Sequence, residues 1–293
     1  MIKFMTRPSS DAVRRANRAI LLLLLLIYLA GSFFVLALGM SEAVAFCLNA
    51  AILLIALRYL LRGTAQSPLE VLKRYREVDL PTALYITVLL YLTNLGISVF
   101  AGVFLPNLYS IATSELTTDS TWEIVLLLFS FVVLAPFYEE LVFRGLALSA
   151  YRGARSTLFA VLFTSILFGF LHGSVVHALV AFSVGFVLAL VMLKTGQLWT
   201  VIVVHMLHNS VVVSFVEFST QGVPFTPVFG ALGLVVAIAA LWVAVRWLGL
   251  PGPSDRQVEG IENNIWTPSL VIVIFIVALL NLWTTYIALG PGV

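Results

Sequence analysis

The chain has 293 residues, 61% of them hydrophobic and only 10% charged, with a formal net charge of +2 and a mean hydropathy of +1.08. Soluble domains carry about 25% charged residues, so this composition excludes a water-solvated globule and points to lipid as the solvent. The small net charge gives no reason to expect a nucleic-acid partner, and a lone cysteine, Cys47 in an apolar run, excludes a disulfide framework or a thiolate metal cluster.

A helix crossing a bilayer needs roughly 20 apolar residues. Nine stretches meet or approach that length, at about 19–39, 43–61, 82–104, 122–150, 156–172, 175–193, 198–219, 227–249 and 269–289. The first follows Arg14, Arg15 and Arg18 and ends near Ala37-Leu38-Gly39, as a signal peptide would. Its apolar run outlasts a signal-peptide core of about 7–15 residues, so it reads as a retained anchor. The fourth stretch is long, contains Pro136 and ends among charged residues, while the fifth and sixth are the shortest. The expected fold is an all-α, polytopic transmembrane helix bundle of eight to nine spans. It forms one integral membrane domain over 1–293, with no separate soluble domain.

With nine spans and a cytoplasmic N-terminus, every lysine and arginine but Arg144 falls in a cytoplasmic segment or at its boundary, Arg58 and Arg246 in the last turn of their spans. External segments hold acids such as Glu42, Glu115, Asp119 and Glu217. This sorting follows the positive-inside rule and implies an external C-terminus, with the plasma membrane as the expected site. Residues 62–81 and 250–267 become cytoplasmic loops. Residues 105–121 become the largest external one, with Leu105, Leu108, Ile111 and Leu116 spaced to lie along the outer leaflet. Trp199, Trp242, Trp247 and Trp266, near span ends, read as interface-belt residues.

Ionisable groups inside a span cost at least about 2.5–3.5 kcal/mol on insertion scales and mark function by default. Three spans concentrate them here. The fourth reads Ala135-Pro136-Phe137-Tyr138-Glu139-Glu140-Leu141-Val142-Phe143-Arg144, the fifth ends Phe168-Gly169-Phe170-Leu171-His172, and the seventh contains His205-Met206-Leu207-His208-Asn209. Lipid does not accept such groups, so the three helices are expected to face one another.

Helix geometry divides their labour. Glu140 and Arg144 are i and i+4 with the acid first, the favourable order for a side-chain ion pair. Glu139 points about 100° away with no partner in its own segment, and a lone carboxylate in a low-dielectric site is a stronger proton acceptor than one in water. Pro136 has no N–H for the Val132 carbonyl, so a bend or loosening is expected just before the acids. His205 and Asn209, one turn apart, can both donate to a single oxygen, as oxyanion stabilisation requires. His172 can share a water with Glu139. Phe168 and His208 are candidates to line the same cavity, and His177, just past the fifth span, reads as structural or interfacial. Together these are the parts for amide hydrolysis.

The three segments resemble the motifs E-E-x-x-x-R, F-x-x-x-H and H-x-x-x-N of the CPBP family, the CAAX proteases and bacteriocin-processing enzymes, which include the type II CAAX prenyl endopeptidases. They occur in the family's order, on separate helices, and the resemblance covers about 122–215. It implies a glutamate-dependent intramembrane endopeptidase with a catalytic core at 122–219. Glu139 and His172 would activate water, His205 and Asn209 would form the oxyanion hole, and Glu140 and Arg144 would order the site. The ninth span would be an addition to an eight-helix core. The partners implied are the lipid bilayer and a membrane-associated protein or peptide substrate, and no cofactor. The family was long grouped with metalloproteases, and two histidines with a glutamate are zinc-ligand types; without an H-E-x-x-H, the metal-free reading is preferred. A proton-coupled membrane carrier, or a non-catalytic scaffold or immunity protein of the same fold, are the competing classes.

One point of register is unresolved by the sequence. Glu139 lies about 12 residues, or ~18 Å, from the cytoplasmic end of the fourth span, whereas His172 lies about 17 residues, or ~25 Å, from Arg155. A tilted fifth span, or one beginning in the cytosol, would bring them level.

The charge sorting predicts the topology directly. Single cysteines at positions 115 and 70, in a Cys47→Ala background, should be reached by an impermeant thiol reagent outside intact cells at 115 only. Labelling at 70 would reverse the orientation.

Overall fold

The computed structural model describes residues 10–62, 71–73, 77–108, 120–219, 226–251 and 265–289. Nine long helical segments appear among them. The first, α1, runs over Ser10–Leu25, passes through a π turn at Leu26–Ala30 and continues over Gly31–Leu36. It starts well before the apolar stretch read from sequence. Then come α2 (Glu42–Leu60) and α3 (Leu80–Phe104), followed by α4 (Thr121–Ala154), which is interrupted by π turns at Ser130–Leu134 and Leu141–Ala147. The chain continues through α5 (Thr157–Phe170), α6 (Val175–Thr195), α7 (Leu198–Ser219), α8 (Pro227–Leu248) and α9 (Pro268–Leu289).

Seven helices are long and apolar enough to cross a membrane, and α5 and residues Leu198–Val213 of α7 are shorter apolar helices. The all-helical, polytopic bundle is therefore observed, with α5 short as expected and α6 a full-length span. The proposed path of 105–121 along the outer leaflet rests largely on 109–119, outside the described residues, as do much of the 62–81 and 250–267 loops.

Local chemistry sets the helix starts. The side chains of Asp79, Ser156, Ser174 and Thr226 each accept an N–H from the first turn that follows, and Pro81 and Pro227 occupy first-turn positions where no N–H is needed. Large apolar side chains such as Leu36, Phe275 and Leu282 remain exposed on the outside of the bundle, where lipid rather than water is the solvent. Trp242, Trp247 and Trp266 are exposed near helix ends, whereas Trp199 turns inward, its ring 5.9 Å from that of Phe137.

With the hydrophobic effect absent between lipid-solvated helices, close approach supplies the attraction. The contact of α3 with α8 shows how small residues permit it. A Cβ on Gly96 would stand 2.2 Å from the Gly233 carbonyl oxygen and 2.8 Å from the Ala237 Cβ. No side chain fits there.

The α4–α5 hairpin removes the register problem. The fourth helix continues to Ala154, beyond the end read from sequence, and the corner falls at Arg155 and Ser156. Glu139 precedes Ala154 by 15 residues and His172 follows Thr157 by 15. At 1.5 Å per residue, both stand roughly 22 Å above the corner. The longer α4 levels the two groups.

Gly96→Ala is expected to destabilise the purified protein by about 1–3 kcal/mol, the usual cost of overpacking, seen as a lower Tm in detergent. Val88→Ala, an outward-facing control on the same helix, should leave Tm nearly unchanged.

Candidate active site

The two adjacent glutamates of α4 meet very different surroundings. Glu140 is sealed, with no side-chain exposure, and Arg144 Nη1 donates to its Oε1 at 2.7 Å. Arg144, equally sealed, sends Nη2 to the Gly185 carbonyl of α6 at 2.7 Å and lies 4.8 Å above the Phe168 ring. A Cβ on Gly185 would stand 3.2 Å from that Nη2 and 3.0 Å from Phe168, so a glycine lets the guanidinium reach a helix carbonyl. Glu139 keeps 14% of its side-chain surface and has no partner of this kind.

Sequence reasoning paired His205 with Asn209. The structure adds a bond that reasoning missed: His205 Nδ1 donates to Glu140 Oε1 at 2.8 Å. One carboxylate oxygen thus receives both Arg144 and His205. With Nδ1 held, His205 turns Nε2 toward Glu139, whose Oε2 is 3.9 Å away.

His172 stands just beyond the last residue of α5. Its backbone N–H bonds to the Gly169 carbonyl three residues back, which leaves the Phe168 carbonyl without its usual helical partner. The His172 side chain takes that place, Nδ1 donating to Phe168 O at 2.8 Å, and its ring lies 4.9 Å from the Phe168 ring. The four-residue spacing of Phe168 and His172 is therefore a helix-end cap. It fixes the tautomer and leaves Nε2 free of the protein backbone.

Asn209 is held by a break in α4. In the π turn before the acids, Ala135 N–H bonds to Ser130 O, five residues back. That register would send the Phe131 carbonyl to the nitrogen of Pro136, which carries no hydrogen. Asn209 Nδ2 donates to Phe131 O instead, at 2.9 Å. The freed acceptor is Phe131, one residue earlier than the unbroken helical register at Val132 led us to expect, because the π turn shifts the pairing.

Glu139, His172, His205 and Asn209 line one cavity of about 330 Å³, with Phe168 and His177 also on its wall. Leu23, Ile27, Phe46, Phe131, Val212 and Val213 supply its apolar sides. His208 points away from this cavity and is buried behind Asn209, its Nδ1 3.3 Å from Asn209 Oδ1. Among the described residues, no three His, Cys, Asp or Glu side chains are placed to hold a metal ion.

Helices distant in sequence steady this constellation. The turn carrying His172 receives Tyr28 Oη of α1 on the Leu171 carbonyl, Asn281 Nδ2 of α9 on Phe170 O at 2.9 Å, and Thr284 Oγ1 of α9 on Gly173 O at 2.5 Å. No sequence signal singled these out, except that Asn281 is a polar residue within an apolar span.

Residues 121–211 match the family model described as type II CAAX prenyl endopeptidase, Rce1-like. A Bacillus subtilis (strain 168) protein, YdiL, named as a candidate membrane peptidase, is 31% identical over 81 residues, which are 28% of this chain and 33% of that relative. No solved structure matches significantly. The matched segment holds all three polar motifs, on α4, at the end of α5 and on α7. Through residues 121–211, about a third of its length, this integral membrane protein is similar to the type II CAAX prenyl endopeptidase, Rce1-like family, and it spans about a third of the curated relative it matches.

Proposed function

We propose that the protein is a glutamate-dependent intramembrane endopeptidase, with residues 122–219 as its catalytic core. The observation that carries this reading is the contrast between the glutamates. Glu140 is bonded by both Arg144 and His205, each at the same carboxylate oxygen, while Glu139 borders the cavity with no guanidinium bonded to it.

In this reading a water held between Glu139 and His172 Nε2 loses a proton to Glu139 and attacks the carbonyl carbon of the scissile amide. Charge develops on the carbonyl oxygen. His205, protonated on both nitrogens, offers Nε2–H, and Asn209 offers the Nδ2 hydrogen not committed to Phe131. The set Glu139, Glu140, Arg144 and His205 then sums to zero charge, which a low-dielectric interior favours. Collapse of the tetrahedral intermediate breaks the C–N bond, and the proton taken from water passes to the leaving amine. Glu140 and Arg144 touch no substrate; they position His205.

The substrate class is a membrane-associated protein or peptide, entering a cavity whose walls are mostly apolar. The family description makes a prenylated C-terminal peptide the first probe to try. The cation pattern supports a plasma-membrane protein with its N-terminus in the cytoplasm and its C-terminus outside.

Glu139→Gln keeps the shape of the side chain and removes the base. In proteoliposomes with a quenched farnesylated CAAX peptide, and in comparative proteomics of membranes with and without Glu139, it should lose at least about 100-fold in cleavage rate at unchanged Tm. Arg144→Ala should lose stability as well, by about 3–5 kcal/mol, because it strands Glu140 as a buried charge. Full activity of Glu139→Gln on an identified substrate would refute the mechanism.

The metal-free reading has its own test. Purified protein should hold no stoichiometric zinc, and cleavage should survive a membrane-permeant chelator. One tightly bound zinc per chain, with activity lost on its removal and restored on its return, would recast Glu139, His172 and His205 as ligands.

A further inference from the structure

Behind Asn209, a row of polar groups leads away from the cavity into the bundle. Ser98 Oγ donates to Asn94 Oδ1 at 3.2 Å, and Asn94 Nδ2 stands 3.5 Å from His208 Nε2. His208 Nδ1 stands 3.3 Å from Asn209 Oδ1, and Asn209 Nδ2 donates to Phe131 O at 2.9 Å. The roles in this row follow from one fixed end. The Phe131 carbonyl can only accept, so the Asn209 atom against it is the nitrogen, and the Asn209 oxygen faces His208. That oxygen can only accept, so His208 carries its proton on Nδ1. A neutral imidazole then has a bare Nε2, which takes an N–H from Asn94, and the Asn94 oxygen is left to take the hydroxyl of Ser98.

Every bond in the row therefore runs in the same direction, and in a low-dielectric interior each polarises the next. His208 is only 4% exposed, so water does not compete for either of its nitrogens. The H-x-x-x-N spacing by itself cannot orient a carboxamide, since an asparagine on a helix face can present either end. Its direct partners are Phe131 on α4 and His208 on α7, and the groups that hold His208 in the matching tautomer come from α3, outside the segment that matches the family.

We propose that His208, Asn94 and Ser98 are positioning residues, a one-way chain of donors from α3 to α7 that holds the Asn209 carboxamide with its second N–H free for the cavity and strengthens that N–H as a donor to the developing oxyanion. The inference rests on the oxyanion role proposed for Asn209. The chain leaves the substrate-binding walls untouched, so its loss acts on kcat and not on KM.

Two measurements test it. The first needs no substrate: nitrogen-15 solid-state NMR of the full protein in liposomes, labelled at its four histidines, with His208→Asn used to assign the His208 signals. A neutral ring protonated on Nδ1 and bare on Nε2 is expected; the opposite tautomer, or a doubly protonated ring, overturns the chain. The second is kinetic, with the quenched farnesylated CAAX peptide. His208→Asn puts an amide nitrogen at the place of Nδ1 and should stay within about threefold of wild type. His208→Gln puts it at the place of Nε2 and should lower kcat about tenfold at constant KM, a fraction of the ~100-fold loss expected for Asn209→Ala. Asn94→Leu should change kcat in the same direction, which covers the case of a His208 variant that does not fold. In an Asn209→Ala background, His208→Gln should cost nothing more. An equal loss in both backgrounds overturns the positioning role. Full activity of Asn209→Ala would instead overturn the oxyanion reading, and a wild-type protein that leaves the peptide uncut would overturn the substrate reading; the tautomer still decides the chain in either case.

Discussion

An ionised carboxylate or guanidinium carried into a low-dielectric interior costs several kcal/mol unless its partners are carried in with it, and α4 brings one of each. Glu140 and Arg144 satisfy part of each other's demand. The Gly185 carbonyl of α6 accepts a further bond from the guanidinium and His205 of α7 donates a further one to the carboxylate, which leaves Glu140 Oε2 and Arg144 Nε buried without a hydrogen-bond partner. Three helices are therefore tied at one level of the bundle by bonds that lipid cannot replace. The ring of Phe168, from α5, lies against the guanidinium and closes the fourth side. Displacing any of these helices would strand a buried charge, so the group with no such tie, Glu139, is presented to the cavity from a rigid frame.

Within a membrane every backbone polar group must also find a partner inside the protein. Irregular backbone is tolerated only where side chains answer it, and here those side chains belong to the site. The carbonyl freed by the π turn and Pro136 is taken by Asn209. The carbonyl left open at the end of α5 is taken by His172. Asn209 and His172 are thus each oriented by the backbone defect they repair. π turns are rare in helices generally, and here they flank both sides of the glutamate pair.

The segment that matches the family does not hold itself in place. Tyr28 from α1 and Asn281 and Thr284 from α9 bond the three carbonyls of the turn that carries His172. The ninth helix, read from sequence as an addition to an eight-helix core, is attached at this turn. At this turn its contribution is polar, made by Asn281 and Thr284, while Leu270, Val273 and Val277 of the same helix pack into the core.

Much was determined by the sequence alone. Nine apolar stretches that meet or approach bilayer length, the i, i+4 ion pair of Glu140 and Arg144, the exclusion of lipid contact for three polar segments and the shared cavity wall of Glu139, His172, His205 and Asn209 all follow from local spacing and the cost of burying charge. What the sequence left open is what depends on contacts between helices. That α4 runs on to Ala154, and so brings Glu139 and His172 level, is a property of the hairpin it forms with α5. That His205 bonds Glu140 and that His208 turns away from the cavity toward Asn94 depend on how the helices pack, and that Asn209 rests on Phe131 depends on a backbone shift of one residue in a π turn. Hydrophobic periodicity cannot register such a shift, because a π turn moves the hydrogen-bond partners while leaving the apolar composition of the span unchanged.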